Sequence, residues 1–180
     1  MLISKFGTIS KDAISEFEDI IGITLPKQYR LFIEKYNGGE TPNTSFDING
    51  VCSDIKGFYG LGKVKYPLDS IQVKEIQGKC YLPIAIDSFG NNVLIDLNEG
   101  KIYFSDHEGD VIKKIANDLK EFFNKCESKV INKSSIKSVE ERERDLVARG
   151  RGSIITDELR DMWRVEIRKY VEIYQEEVVI

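Results

Sequence analysis

LPKQYRLFIEKYNGG, residues 25–39, decides how the rest of the chain is read. Pro26 suits the first helical position, where its fixed φ is pre-set and its missing N–H wants no partner. Behind it Tyr29, Phe32, Ile33 and Tyr36 recur at spacings of three and four, the mark of a helix that buries one aromatic stripe. Asn37-Gly38-Gly39 stops it, because Asn and Gly accept the left-handed conformation of a C-terminal cap. The element is short, has fixed ends and carries no catalytic chemistry. Its stripe requires other elements packed against it.

Upstream, Ser10 is placed to cap a first helix, with Asp12 near its positive end and Ile9 and Ile14 spaced as a staple across the cap. Ala13, Ile14, Phe17, Ile20 and Ile21 mark its buried side, and Gly22 ends it. The short Ile23-Thr24-Leu25 link makes the two helices neighbours. Downstream the pattern turns to strands. Ser45–Ile48 is predicted as a short strand, and IKGFYGLG (55–62) as a strand in which glycines permit a bulge or close backbone approach. Pro67 is expected to begin a short helix running to about Ile76. In YLPIAI (81–86) Leu82, Ile84 and Ile86 share a face, and Pro83 favours a strand start or an edge. The polar DSFGNN turn (87–92) leads to VLIDL, and Asn98-Glu99-Gly100 turns the chain into KIYFSD (101–106), the clearest hairpin signal present. Ile112, Ile115, Ala116, Leu119, Phe122 and Phe123 then predict a helix ending near Cys126.

The last third is different in character. Residues 127–137 are polar and read as a loop, and a charged helix follows over 138–148, with Glu140 and Arg144 spaced to pair. Arg149-Gly150-Arg151-Gly152 breaks it. A longer helix from about Thr156 to Val178 sets Leu159, Trp163, Ile167, Tyr170 and Tyr174 along one side. The expected organisation is therefore a domain over 1–126 and a helical C-terminal extension over 127–180.

Composition narrows the function classes. Of 180 residues, 41% are hydrophobic and 31% charged, a globular balance. With 26 basic and 30 acidic residues the net charge is −4, which argues against broad nucleic-acid binding. No apolar run approaches the ~20 residues of a membrane span, and the opening MLISKFGTISKDAI lacks the apolar core of a secretory signal. Cys52, Cys80 and Cys126 are scattered without ligand spacing, which suits a reducing cytoplasm. His107 is the sole histidine, so a multi-histidine metal site is excluded.

The ordered set resembles the SUKH superfamily, the Smi/Knr-type domain of bacterial toxin-immunity proteins. The matching pieces are EFEDIIGITLPKQYRLFIEKYNGG, with Gly22, Leu25, Pro26, Tyr29, Phe32, Asn37, Gly38 and Gly39, then GFYGL (57–61), then LPIAIDSFGNNVLIDLNEGKIYFSDHEGD (82–110). The likeness covers roughly residues 8–126. Phe104 stands where relatives often carry tryptophan, an exchange that keeps an aromatic filler. The resemblance implies an α+β fold, with a twisted, mostly antiparallel sheet packed with helices. It also implies a non-enzymatic protein without cofactors that binds and neutralises a nuclease- or deaminase-like toxin domain. Its alternative is a regulatory protein-binding scaffold of the cell-wall, signalling or export-channel type. It says nothing of the last fifty-odd residues.

Individual residues leave choices open. Asp106, His107, Glu108 and Asp110 form the densest polar cluster, but a solvated turn explains it better than a metal or acid–base site. Asp87, Asn91, Asn92 and Asp96 are either turn residues, the favoured reading, or contacts to a basic partner. GFYGLG lacks the lysine of a phosphate loop, and the lone RGRG is a flexible break rather than a phosphate site. Trp163, Tyr170 and Tyr174 either pack on the protein itself, the favoured reading, or anchor an interface. The residues expected to meet a protein partner are accordingly Asp87, Asn91, Asn92, Asp96, Asp106, Glu108, Trp163 and Tyr170. No direct nucleic-acid contact is expected.

Overall fold

In the computed structural model, which describes residues 1–68, 73–76, 78–109 and 112–180, both N-terminal helices form where their caps place them. Ser10 Oγ accepts from the Ala13 N–H at 3.2 Å to start α1 (Lys11–Ile21), and Gly22 ends it at φ 70°. Helix α2 (Lys27–Tyr36) follows, with Pro26 in the extended cap position itself, one residue earlier than expected. The link between the helices is held by Glu18, which is buried. Its carboxylate accepts from the Leu25 N–H at 2.8 Å and pairs with Arg30. Asn37 closes α2 at φ 48°, and its side-chain amide exchanges two hydrogen bonds with the Leu61 backbone, at 2.8 and 3.1 Å. This exchange brings the glycine-rich segment against the end of α2. A Cβ on Gly60 would lie 2.0 Å from the Asn37 carbonyl oxygen, so only glycine fits.

The strands among the described residues are β1 (Leu2–Lys5), β2 (Gly39–Glu40), β3 (Thr44–Ile48), β4 (Val51–Asp54), β5 (Gly57–Phe58), β6 (Lys74–Ile76), β7 (Lys79–Ile86), β8 (Asn92–Asp96), β9 (Ile102–Ser105), β10 (Ile112–Ala116), β11 (Cys126–Ser128) and β12 (Glu176–Glu177). One antiparallel sheet runs β10-β9-β8-β7-β5-β2-β1-β12, with β6 also on β7, and a smaller one runs β11-β3-β4. Helix α3 (Leu119–Lys125) packs with α2 on this framework, and α4 (Val139–Ala148) and α5 (Asp157–Glu172) come later. The fold is α+β. The aromatic stripe of α2 is its core: the Phe32 ring meets Phe58 at 5.2 Å, Phe123 at 5.3 Å and Tyr36 at 5.4 Å.

Several expectations change, the first being that Ile20, expected on the buried side of α1, is 81% exposed. Lys74–Ile76 is a strand paired with Lys79–Tyr81 across Gly78, not the end of a helix from Pro67, and residues 69–72 and 77 lie outside the described residues. Ile112–Ala116 is β10, and the helix starts only after Asp118, whose side chain accepts from the Glu121 N–H at 2.8 Å. A bulge between Lys114 and Ala116 puts Ile115 and Ala116 both inside, so a broken two-residue period imitates a helical one. Pro83 lies within the paired length of β7, where a register shift between Pro83 and Ala85 absorbs its missing donor. The last helix ends at Glu172, and Glu176–Glu177 pair with Ile3 and Leu2.

The chain divides into two compact units, Met1–Lys129 with Gln175–Ile180, and Val130–Tyr174. In the first, β12 is seated by the Val179 N–H donating to the Tyr36 hydroxyl at 2.9 Å and by a Lys5–Glu176 ion pair at 3.0 Å. In the second, α4 opens with a full capping box between Ser138 and Glu141. Its ion pairs join Arg142 to Glu166 at 2.9 Å and Arg160 to Glu143 at 2.5 Å.

Candidate partner-binding surface

The β7–β8 turn is the most heavily tied loop on the first unit. Asp87 is 3% exposed, and its carboxylate accepts from the Phe89 N–H at 2.9 Å, the Asn91 N–H at 2.8 Å, the Asn91 amide at 2.8 Å and the Ser53 hydroxyl at 2.7 Å. Asp54 at the end of β4 takes the Ser88 N–H at 2.9 Å and the Ser88 hydroxyl at 2.5 Å. Those two sets staple the turn to the smaller sheet. On the other side, Asn91 Oδ1 accepts from the His107 N–H at 3.0 Å and lies 2.8 Å from His107 Nδ1. Asn92 Oδ1 accepts from the Tyr59 hydroxyl at 2.9 Å. Burial pushes that phenol up to about 12, helped by neighbouring Tyr66, so it remains a donor.

Asp87, Asn91 and Asn92 are therefore brought together, with their polar atoms engaged inside the protein. Asp96 stands apart. It is fully buried, its Oδ1 accepts from the Asn98 and Glu99 N–H groups at 2.9 and 3.1 Å, and Lys79 lies 3.4 Å from Oδ2. Asp106 and Glu108 are exposed, beside His107 at 3.9 and 3.8 Å, and Asp106 Oδ1 caps the Glu108 N–H at 2.9 Å. Asp110 lies outside the described residues. Among the described residues no group of three His, Cys, Asp or Glu is arranged to hold a metal.

The residue missed from the sequence is Phe89. It is 72% exposed at the tip of this turn, the one exposed aromatic of the first unit among the described residues. Its signal was a lone aromatic inside the otherwise polar DSFGNN. On the second unit, Trp163 is half-buried with the Arg142 guanidinium 5.9 Å from its ring centre, and Tyr170 is exposed. No side chain of α4 or α5 is buried.

Residues 8–125 match the SMI1/KNR4 family (SUKH-1). The chain belongs to that family. The match spans both N-terminal helices, the Asn37–Leu61 junction and the whole tied turn. The chain is also 30% identical over 138 residues to the SPbeta prophage-derived uncharacterized protein YokK of Bacillus subtilis (strain 168), an alignment covering 63% of this chain and 72% of that protein. No helix among the described residues is long and apolar enough to cross a membrane.

Proposed function

We propose that this protein is an immunity-type binding protein that neutralises a toxin domain in the cytoplasm by stoichiometric occlusion, without turnover. Membership of the SUKH-1 family over residues 8–125 carries the reading. The chemistry of the described surface supports it, because the polar atoms of Asp87, Asn91 and Asn92 are engaged in holding the β7–β8 turn. A preformed face burying on the order of 1,200–2,000 Å² would block a toxin's site. A net charge of −4 favours encounter with a basic, nuclease-like partner, chiefly through the association rate.

The test is a titration against a candidate toxin domain, sought first among the neighbouring genes, following residual toxin activity. One-to-one inhibition is expected, with a sharp end point near one equivalent. Full neutralisation at a small fraction of an equivalent would overturn the reading in favour of an enzyme. A partner without toxic activity that binds one-to-one would favour the regulatory scaffold.

A further inference from the structure

We propose that Phe89 is the anchor of a docking site for an arginine-bearing, cationic protein surface, with Asp106 and Glu108 as its acidic rim. The proposal rests on the reading of this protein as one that binds proteins, but it does not require the partner to be a toxin.

The first observation is rigidity around an exposed ring. Four side chains from two segments, Ser53 and Asp54 at the end of β4 and Asp87 and Asn91 in the turn itself, hold the backbone that carries Phe89, and the Phe89 N–H itself is fixed by Asp87 at 2.9 Å. Asp87 is buried and satisfied by hydrogen bonds alone, a costly arrangement for a carboxylate. All this order ends in a phenyl ring directed to solvent, where it adds nothing to the core. An aromatic presented on a fixed backbone loses little entropy when it enters a pocket, which is the property of an interface anchor.

Charge then selects the occupant. Asp54 and Asp87 lie in the turn's own network, and Asp106 and Glu108 flank His107, which Asn91 ties to the turn. Among the described residues no Lys or Arg forms an ion pair with any of these four carboxylates. Lys56, two residues after Asp54, donates its N–H to the Ile86 carbonyl at 2.9 Å without such a pair, and Lys113 stands opposite Phe104 in the strand register. The Lys113 ammonium lies beside Gly50, at the far end of β4 from Asp54. The uncompensated negative field repels nucleic acid and anionic lipid and attracts cations. Arginine satisfies both halves of the site, since its guanidinium stacks on an aromatic face and forks onto a carboxylate.

The experiment is selection of a random peptide library displayed on phage against the full chain, followed by synthesis of the leading peptide. Enrichment of peptides combining arginine with an apolar residue is expected. Phe89→Ala should weaken the leading peptide at least about tenfold, as for an anchor. Phe89→Trp should retain it, and Asp106→Asn with Glu108→Gln should weaken it and reduce its salt dependence. Phe89 is exposed, so an unchanged melting temperature checks the fold of each variant. No enrichment, enriched peptides without basic residues, or equal binding by Phe89→Ala overturns the proposal. Peptide binding through Phe89 without toxin neutralisation sinks only the immunity reading. One-to-one neutralisation indifferent to Phe89→Ala sinks only this site.

Discussion

In the first unit the Phe32 ring is enclosed by Tyr29, Tyr36, Phe58 and Phe123, while in the second unit α4 and α5 bury no side chain and are joined by the Arg142–Glu166 and Arg160–Glu143 ion pairs. The two halves thus draw on different forces. Removal of aromatic surface from water is strong and insensitive to salt, whereas exposed ion pairs contribute about 0–1 kcal/mol each and are screened. Stability should therefore reside in the first unit, with the second opening separately.

The largest expected effect is Phe32→Ala, which should lower stability by about 3–5 kcal/mol in urea denaturation. A near-wild-type curve would break the comparison at its strongest point. Next comes deletion of Gln175–Ile180, which uncovers Ile3, removes the Lys5–Glu176 pair and leaves the Tyr36 hydroxyl without its strand partners. A loss of about 2–3 kcal/mol is expected, read the same way. Excision of 130–174 is the opposite manipulation. The Gln175 amide donates to the Lys129 carbonyl at 3.3 Å, so a short Gly-Ser bridge can rejoin the ends. The change should stay under about 1 kcal/mol, with one cooperative transition. This sharpens the proposed 1–126 domain: a chain cut at 126 loses β12 and most of β11, whereas the excised one keeps both.

Smaller still is Arg142→Met, which removes the ion pair to Glu166 and the stack on Trp163. Hydrogen exchange in α4 and α5 should quicken up to about tenfold, and the urea midpoint of the first unit should not move. If both respond together, the two units are energetically one. The smallest effect concerns acid. A hydrogen bond from Lys125, then bonds from the Asn117 backbone and side chain, hold the Glu121 carboxyl near 2 rather than 4.5. Because the folded value is depressed, its contribution is complete above 4.5 and fades as pH falls toward 2. Glu121→Gln should flatten that limb of an acid titration followed by circular dichroism.

Elements with local signals were legible in the sequence. Ser10, Asn37 and the Asn98-Glu99-Gly100 turn act through neighbours a few residues away, and the stripe of α2 is periodic in the chain itself. β1 and β12 were not legible, because each is short and pairs with distant segments, β1 with both β2 and β12, and β12 with β1 at the opposite end of the sequence. β10 was misread because its bulge gave two adjacent inward residues. In the candidate site, Asp87 and Asn91 stood out as turn formers. What the turn is fixed to, Ser53, Asp54 and His107, comes from distant segments, so the presentation of Phe89 had no sequence signature beyond its oddity in a polar run.

The pairing of Leu2 with Glu177 has a consequence for biosynthesis. A nascent chain can form α1, α2 and the central hairpins while the ribosome is still making the C-terminal third, since their partners are close in sequence. The edge formed by β1 must wait, uncovered, until translation has passed through both later helices and released residue 177. During that interval Ile3 and the β1 backbone are open to any passing strand, which makes this edge the one most exposed to misassembly and to chaperone capture.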